Sequence, residues 1–232
     1  MSDINITVSG TKRLLTAGKR HISDIVVTAE GGDDHYDAFW DMFQENGNRT
    51  DYRYAFAYTK WNDRMFKPKY PLKFVGEATY VFVGTEVVWA DKVLQVDLSE
   101  ATNMTWLFRN SKFTKLGKCD FSAATDINGI FSICNNLESI EEVVSNENLA
   151  WSNAFGYSSR LRNITFSGVI GKSINFMDCS QLTAASVQSI IDHLKDLSGL
   201  TAQTLTFHQN VGGKLTDEQK AAITAKNWTL VY

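Results

Sequence analysis

The clearest pattern along the chain is a phenylalanine followed three residues later by Ser, Thr or Cys, with another apolar residue two or three positions further on. The pairs are Phe56/Thr59, Phe82/Thr85, Phe108/Ser111, Phe131/Cys134, Phe155/Ser158 and Phe176/Cys179. Successive phenylalanines are 26, 26, 23, 24 and 21 residues apart. The alternative is a chance recurrence in a chain with 14 phenylalanines. The joint recurrence of three features favours an internal repeat.

A unit of this length holds a short strand and a return segment, but it cannot bury its own apolar face. Stacked units would place each phenylalanine over the next, with the small residue at a tight inward corner. Hydroxyls at that corner could bond backbone groups. The segments Val96–Met104 and Cys119–Ile127 align with each other as well. We therefore expect an α/β solenoid of about five to six irregular coils of 21–26 residues.

The C-terminal part departs from the repeat, as the cap of a solenoid must. Helical spacing, helix-capping residues and strand-like alternation predict an αβαβ cap. Its elements are a helix from Thr183 to about Leu197 ended by Gly199, a strand over 204–207, a helix from Thr216 to about Lys226, and a strand over 228–232.

The N-terminal part reads as a small β module followed by a helix. Ile4–Val8 and Ile22–Ala29 have the pattern of strands, and Asp37–Gln44 has the pattern of an amphipathic helix that could cover the first coil. The predicted domains are an attachment or oligomerisation module at 1–32, the solenoid with its capping helix at 33–182, and the C-terminal cap at 183–232.

The unit Phe-x-x-(Cys/Ser)-x-x-Leu-x-x-Ile at 131–140 and 155–164 resembles the BspA-like class of leucine-rich repeats. The Ala-Phe pairs that end at Phe56 and Phe155 match that class too. The resemblance implies that Leu137-x-x-Ile140 and Leu161-x-x-Ile164-x-Phe166 are strands, with each phenylalanine on the return segment. It covers about residues 50–182 and weakens before Phe108.

Both ends resemble a second group of proteins. The stretch 14–19 followed by 24–27 is similar to a module of tail and fibre proteins from phages and prophages of Gram-positive bacteria. The segments 36–70 and 215–230 are similar to repeat proteins from the same context. The resemblance implies a component of the virion tail that contacts the host surface. Other tail or baseplate proteins would be its partners, and a homotrimer held partly through residues 1–30 is expected.

Composition narrows the classes of partner. The net charge of −3 is spread along the chain without a basic stripe, which argues against nucleic acid. No run of about 18 apolar residues suggests membrane insertion. Cys119, Cys134 and Cys179 are too scattered for a disulfide framework, and we expect them to be small buried hydrophobic residues.

No spacing of residues points to catalysis or to a metal. The cluster at 33–37 precedes a predicted helix, where carboxylates favour the positive end of the dipole, and Glu141 and Glu142 would point apart on a strand. We therefore expect a non-enzymatic protein without a cofactor or metal. The alternatives are a bacterial cell-surface adhesin, disfavoured because the sequence begins without a visible secretory segment, and a glycan-cleaving tail enzyme.

Aromatic residues are the remaining candidates for ligand binding. Tyr54, Tyr80 and Trp106 each lie two residues before a repeat phenylalanine, so in register they would form a column across three successive coils. Such a column could stack on sugar rings or anchor a protein partner on the host surface. The alternative is that the three side chains fill a wide core. Trp89 and Trp151 are weaker candidates.

Overall fold

The computed structural model describes residues 4–5, 25–26, 50–62, 71–88 and 92–232. The predicted helix at 37–44 and Trp89 lie outside the described residues, as does most of the predicted module at 1–32. Of that module, the strands β1 (Ile4–Asn5) and β2 (Ile25–Val26) are described, and they pair in parallel.

The rest of the described chain is an α/β fold of parallel sheets with few helices. The strands, in chain order, are β3 (Lys60–Asn62), β4 (Leu72–Glu77), β5 (Glu86–Val88), β6 (Val93–Leu94), β7 (Val96–Asn103), β8 (Lys115–Asp120), β9 (Ser139–Ser145), β10 (Asn163–Gly168), β11 (Ile174–Phe176), β12 (Gln203–Phe207) and β13 (Trp228–Val231). The largest sheet has the order β10-β9-β8-β6, and β11-β12-β13 form a second one. Two further pairs are β3-β5 and β4-β7.

The register of the large sheet brings equivalent apolar residues together. Leu116 on β8 pairs with Ile140 on β9, and Ile140 pairs with Ile164 on β10. All three side chains are buried, because one face of each parallel strand packs on the core. The implied strands at 137–140 and 161–166 are shifted: Leu137 and Leu161 are buried but precede the strands, which begin two residues later.

Five of the six repeat phenylalanines lie in six-residue turns, which we call the Phe loops. The Phe loops are 53–58, 79–84, 105–110, 128–133 and 152–157. Alternate N–H groups in one loop donate to carbonyls of the next; the N–H of Phe82 donates to Leu107 O at 2.8 Å, and that of Phe108 to Ile130 O at 3.0 Å. The buried backbone of the loops is therefore hydrogen-bonded although it is not a β-sheet.

The phenylalanine rings stack from loop to loop, as the sequence register predicts. Ring centroids of successive pairs from Phe56 to Phe155 are 5.5, 5.4, 5.6 and 5.5 Å apart, with interplanar angles of at most 24°. Phe176, at the end of β11, stacks on Phe155 at 4.6 Å. Phe207, at the end of β12, continues the column at 6.0 Å from Phe176 and has no counterpart in the predicted series.

The small residue after the phenylalanine is buried in five of the six repeats, and the exception is Thr59, whose hydroxyl donates to Phe56 O of its own repeat. The side chains of Thr85, Cys134 and Ser158 donate to the carbonyl oxygens of Phe56, Phe108 and Phe131, at 2.8, 3.0 and 2.6 Å. Each of those carbonyls belongs to the preceding Phe loop. The expected bond from the small side chain to the backbone is thus present, and it joins one loop to the next.

The C-terminal part contains the helices α1 (Ala184–Asp192), α2 (Gln209–Gly212) and α3 (Asp217–Ala225). The N-caps Thr183 and Thr216 are those predicted, and Thr216 forms the expected capping box with Gln219. The prediction that the first helix continues to Leu197 is wrong. Ile170 donates to His193 O at 2.8 Å and accepts from Lys195 N–H at 2.9 Å, so the chain leaves the helix to pair with Ile170.

The final strand pairs as expected with the strand before it, since β13 lies parallel to β12. The short strand β11 and the short helix α2 were not predicted. The buried apolar residues from Tyr52 to Trp228 form one continuous cluster. The core of the C-terminal part is therefore an extension of the phenylalanine column.

Candidate ligand-binding surface

The predicted aromatic residues occupy one position in three successive Phe loops. Tyr54, Tyr80 and Trp106 lie two residues before the loop phenylalanine, which we call position −2. All three have left-handed backbone, with φ of 57°, 60° and 57°. Large side chains rarely adopt this conformation, at a cost of roughly 1–3 kcal/mol each. The backbone is held there because each N–H at position −2 donates to a carbonyl of the next segment, at 2.9–3.2 Å.

The three side chains touch, as the column hypothesis requires. The rings of Tyr54 and Tyr80 stack at 4.6 Å with 13° between their planes, and Trp106 meets Tyr80 edge-on at 5.0 Å. The guanidinium of Arg109 lies 4.8 Å from the centre of the Trp106 ring. We call Tyr54, Tyr80 and Trp106 the aromatic row. All three side chains are half-buried and lie outside the buried core, so the row forms part of the surface.

The aromatic row ends on Gly129, the position −2 residue of the next loop. A Cβ atom placed on Gly129 would lie 2.5 Å from Cδ1 of Trp106, so the indole ring rests directly on the glycine backbone. Gly129 has φ of 61°, and Asn153 at position −2 of the last Phe loop has φ of 52°. Gly129 was not a predicted site residue, although it lies two residues before Phe131 and so occupies the same position of the repeat as the aromatic row.

The environment of Tyr80 favours its uncharged form. Burial, together with the adjacent Tyr54, raises the pKa of Tyr80 above its ordinary value of 10.0. The Tyr80 hydroxyl is therefore protonated throughout the physiological pH range. Half-buried neutral phenols of this kind offer an apolar ring together with a hydroxyl that can both donate and accept.

The remaining two candidate residues stand apart from the row. Trp89 lies outside the described residues. Trp151 is only 3% exposed and packs against Phe121, Phe155 and Phe166, which makes it a residue of the core. Its indole N–H has no hydrogen-bond acceptor among the residues that the structure describes.

An open cleft of about 440 Å³ lies beside Trp151, between the last Phe loop and the strands β11 and β12. Trp151 and Ile174 are among its lining residues, although both are almost fully buried. Lys172, Ser173, Asn175 and Gln203 supply polar groups. None of these four was a predicted site residue, since they come from two segments separated by a helix and share no motif.

Among the described residues, neither a metal site nor a membrane-spanning helix is found. They contain no group of three or more His, Cys, Asp or Glu placed to hold a metal ion. None of the described helices is long and apolar enough to cross a membrane. Glu142 is engaged in the sheet, since it accepts from the Ser167 hydroxyl at 2.6 Å and pairs with Lys118 at 3.4 Å.

Fold and surface together define an α/β protein of parallel sheets that carries a row of contacting aromatic side chains. The chain matches no protein family model, and comparison with curated proteins and with solved structures gives no match.

Proposed function

We propose that this chain is a leucine-rich-repeat-like solenoid that serves as a tail or fibre-tip protein of a phage of Gram-positive bacteria. In this role it binds a glycan or protein on the host surface, without a cofactor and without catalysing a reaction. It would reside in the virion tail. The sequence resemblances described above support the phage setting.

The solenoid part of the proposal is supported by the repetition of contacts. Equivalent residues of successive units meet in the phenylalanine column, in the paired strands and in the bonds from small side chains to the preceding loop. Contacts between equivalent positions of neighbouring units are what a stacked repeat requires. The irregular spacing of 21–26 residues is absorbed between the loops.

The binding role rests on one observation: the aromatic row lies outside the core and its rings are in mutual contact. Half-exposed aromatic rings held on a hydrogen-bonded backbone lose little conformational freedom on binding. They combine apolar faces with hydroxyl groups, which suits the faces of sugar rings as well as protein partners.

The decisive experiment measures retention of the protein by a panel of intact Gram-positive cells. We expect at least one strain to retain the protein, and the double variant Tyr80→Ala, Trp106→Ala to be retained at least tenfold less. The control is Tyr157→Ala, since Tyr157 is 69% exposed in another Phe loop but lies outside the row. Equal retention of the double variant, with circular dichroism unchanged, would refute a role for the row. Lack of retention by every strain would refute host binding.

The non-enzymatic part and the assembly are tested separately. Incubation with purified cell wall from a retaining strain should release no sugar. Release of sugar would favour the alternative of a glycan-cleaving tail enzyme.

The trimer is tested by light scattering. The measured mass should be about three times 26.1 kDa, and it should fall when residues 1–30 are deleted. A monomer that is unaffected by the deletion would contradict the trimer.

A further inference from the structure

The cleft beside Trp151 is built from equivalent positions of three neighbouring segments. Lys172 and Gln203 stand four residues before Phe176 and Phe207, as Trp151 stands four before Phe155. Ser173 follows Lys172 directly before β11, and it contacts Gln203 and Thr204 of the neighbouring strand β12. The cleft is thus part of the stacked architecture rather than an irregular surface depression.

Hydrogen bonds within the cleft orient its amide groups. Gln203 Oε1 accepts from the backbone N–H and the hydroxyl of Ser173, both at 2.9 Å, and Ser173 Oγ accepts from Thr204 N–H at 2.9 Å. Asn175 Oδ1 accepts from Met177 N–H at 2.7 Å. Both amide oxygens are occupied, so the NH₂ groups of Gln203 and Asn175 are left to donate to something else.

The charge in the cleft has one sign. Lys172 is the only ionisable residue in the lining, it is exposed, and it forms no ion pair with any residue that the structure describes. Its ammonium adds donors to the two oriented amides. A ligand that satisfies this set is rich in acceptor oxygens and carries a negative charge.

We propose that this cleft binds a carboxylated pyranose, a hexuronic acid unit of a host-surface glycan. Its hydroxyl oxygens accept from the amides of Gln203 and Asn175. The carboxylate faces Lys172. The inference rests on the proposed function for the source of the glycan, but the cleft itself is a site separate from the aromatic row.

The location of the cleft supports a glycan rather than an isolated small molecule. Asn153, which lines the cleft, occupies position −2 of the last Phe loop. Gly129 occupies that position in the loop before it and carries the ring of Trp106. The cleft therefore continues the aromatic row along one edge of the protein, and a linear chain of sugars can contact both.

The test is an NMR titration of the ¹⁵N-labelled protein with free sugars. Glucuronate and galacturonate should shift the side-chain amide signals of Gln203 and Asn175 and the backbone signal of Ser173. Glucose and galactose, which lack the carboxylate, should bind more weakly, and acetate should produce no comparable shifts. No shifts with either uronate, or equal shifts with acetate, would overturn the proposal.

Two variants make the test specific. Lys172→Gln should weaken uronate binding about three- to fivefold, the size expected of an exposed ion pair, and leave neutral sugars unaffected. Asn175→Asp retains the oxygen that accepts from Met177 N–H but replaces the NH₂ donor with a charged oxygen, so it should weaken uronate binding at least tenfold. Lys214→Gln, at an exposed lysine outside the lining, is the control. Unchanged uronate binding in both variants would refute the site.

The two proposals fail in different ways. If whole cells retain the protein but free uronates do not bind, the cleft proposal fails and the proposed function stands. If uronates bind in the cleft but no cell retains the protein, host binding fails and the cleft is still a sugar site. A glycan that contacts both sites should bind more tightly than free uronate and lose affinity in Trp106→Ala.

Discussion

Phe82 and Phe108 lie parallel, with ring centroids 5.4 Å apart and 1° between their planes. They are 26 residues apart in the sequence, yet each is fully buried and each occupies the centre of a Phe loop. Such a close match requires that the two loops have the same backbone geometry. The column of rings is therefore both the centre of the core and the element that keeps successive loops aligned.

The stability of the protein should depend strongly on the middle of that column. Phe108 contacts phenylalanine rings on both sides. Phe108→Ala should lower the free energy of unfolding by about 3–5 kcal/mol, and Phe108→Leu, which leaves a smaller cavity, by clearly less. Urea titration followed by circular dichroism measures both. Tyr157→Ala, at an exposed ring, should stay within about 0.5 kcal/mol. A Phe108→Ala protein as stable as that control would contradict the packing.

The small residue after each phenylalanine should be replaceable only by another small donor. Ser158→Ala removes the donor to Phe131 O and should cost about 1–3 kcal/mol. Cys179→Ser keeps a small donor next to Phe155 O and should cost less than Ser158→Ala. Thermal and urea unfolding of the two variants make the comparison. If Cys179→Ser proves the more harmful change, the donor is not what this position requires.

Gly129 should be essential for seating Trp106. In Gly129→Ala the new methyl would collide with the indole ring, and alanine would be strained at φ of 61°. We expect a loss of stability of more than about 1 kcal/mol and a changed near-ultraviolet circular dichroism signal from tryptophan. The matched control is Gly156→Ala, where the nearest atom to a new Cβ is 3.7 Å away. Equal effects of the two substitutions would show that the contact with Trp106 is unimportant.

Acid should weaken the large sheet through Glu142. The hydroxyl of Ser167 holds the pKa of Glu142 below its ordinary value of 4.5, and Lys118 adds to the effect. Because the folded pKa is the lower one, the stabilisation is complete above about pH 4.5 and is lost as the pH falls through the folded pKa. Glu142→Gln should therefore show a smaller drop in stability between pH 5 and pH 3. An identical pH profile for wild type and variant would contradict this assignment.

The three cysteines should be inert in the folded protein. Burial raises the pKa of Cys134 and Cys179 to about 12 and raises that of Cys119 further. Almost no thiolate exists at pH 8, and all three side chains are shielded from reagent. A colorimetric thiol reagent should give no reaction under native conditions and three equivalents in guanidinium. Prompt reaction of the native protein would show that a cysteine is accessible.

Much of the core could be predicted because its determinants are side chains at fixed spacing. The phenylalanine column, the small residues beside it and the capped helices all follow from such spacing. Phe207 was correctly placed in a strand but not in the phenylalanine column, because it lies 31 residues after Phe176, beyond the range of the other intervals, and a helix intervenes. The end of α1 was missed because helical periodicity continues through Leu194 and Leu197, whose burial is achieved without helix.

The conformation of the Phe loops could not be predicted. Local preferences argue against left-handed φ at Tyr54, Tyr80 and Trp106, and hydrogen bonds to the neighbouring segment override them. The cleft was missed for a related reason. Its polar residues come from the segment 172–175 and from β12, and only the pairing of β11 with β12 brings Ser173 within hydrogen-bonding distance of Gln203. The repeat register predicts which residues of successive units lie side by side, but it does not show where neighbouring units leave a cleft between them.

Left-handed backbone also occurs two residues after each loop phenylalanine, at Tyr58, Gly84, Asn110, Ile133 and Tyr157. Four residue types thus accept the same geometry. In the first four loops the N–H at this position donates to a backbone carbonyl of the next loop, and in the last loop the N–H of Tyr157 donates to the carboxylate of Asp178. Selection can exchange the side chains at these sites while the interior stays constant. The surface of such a protein can change by point substitution alone, since replacing a side chain at these loop positions does not require altering how the chain folds.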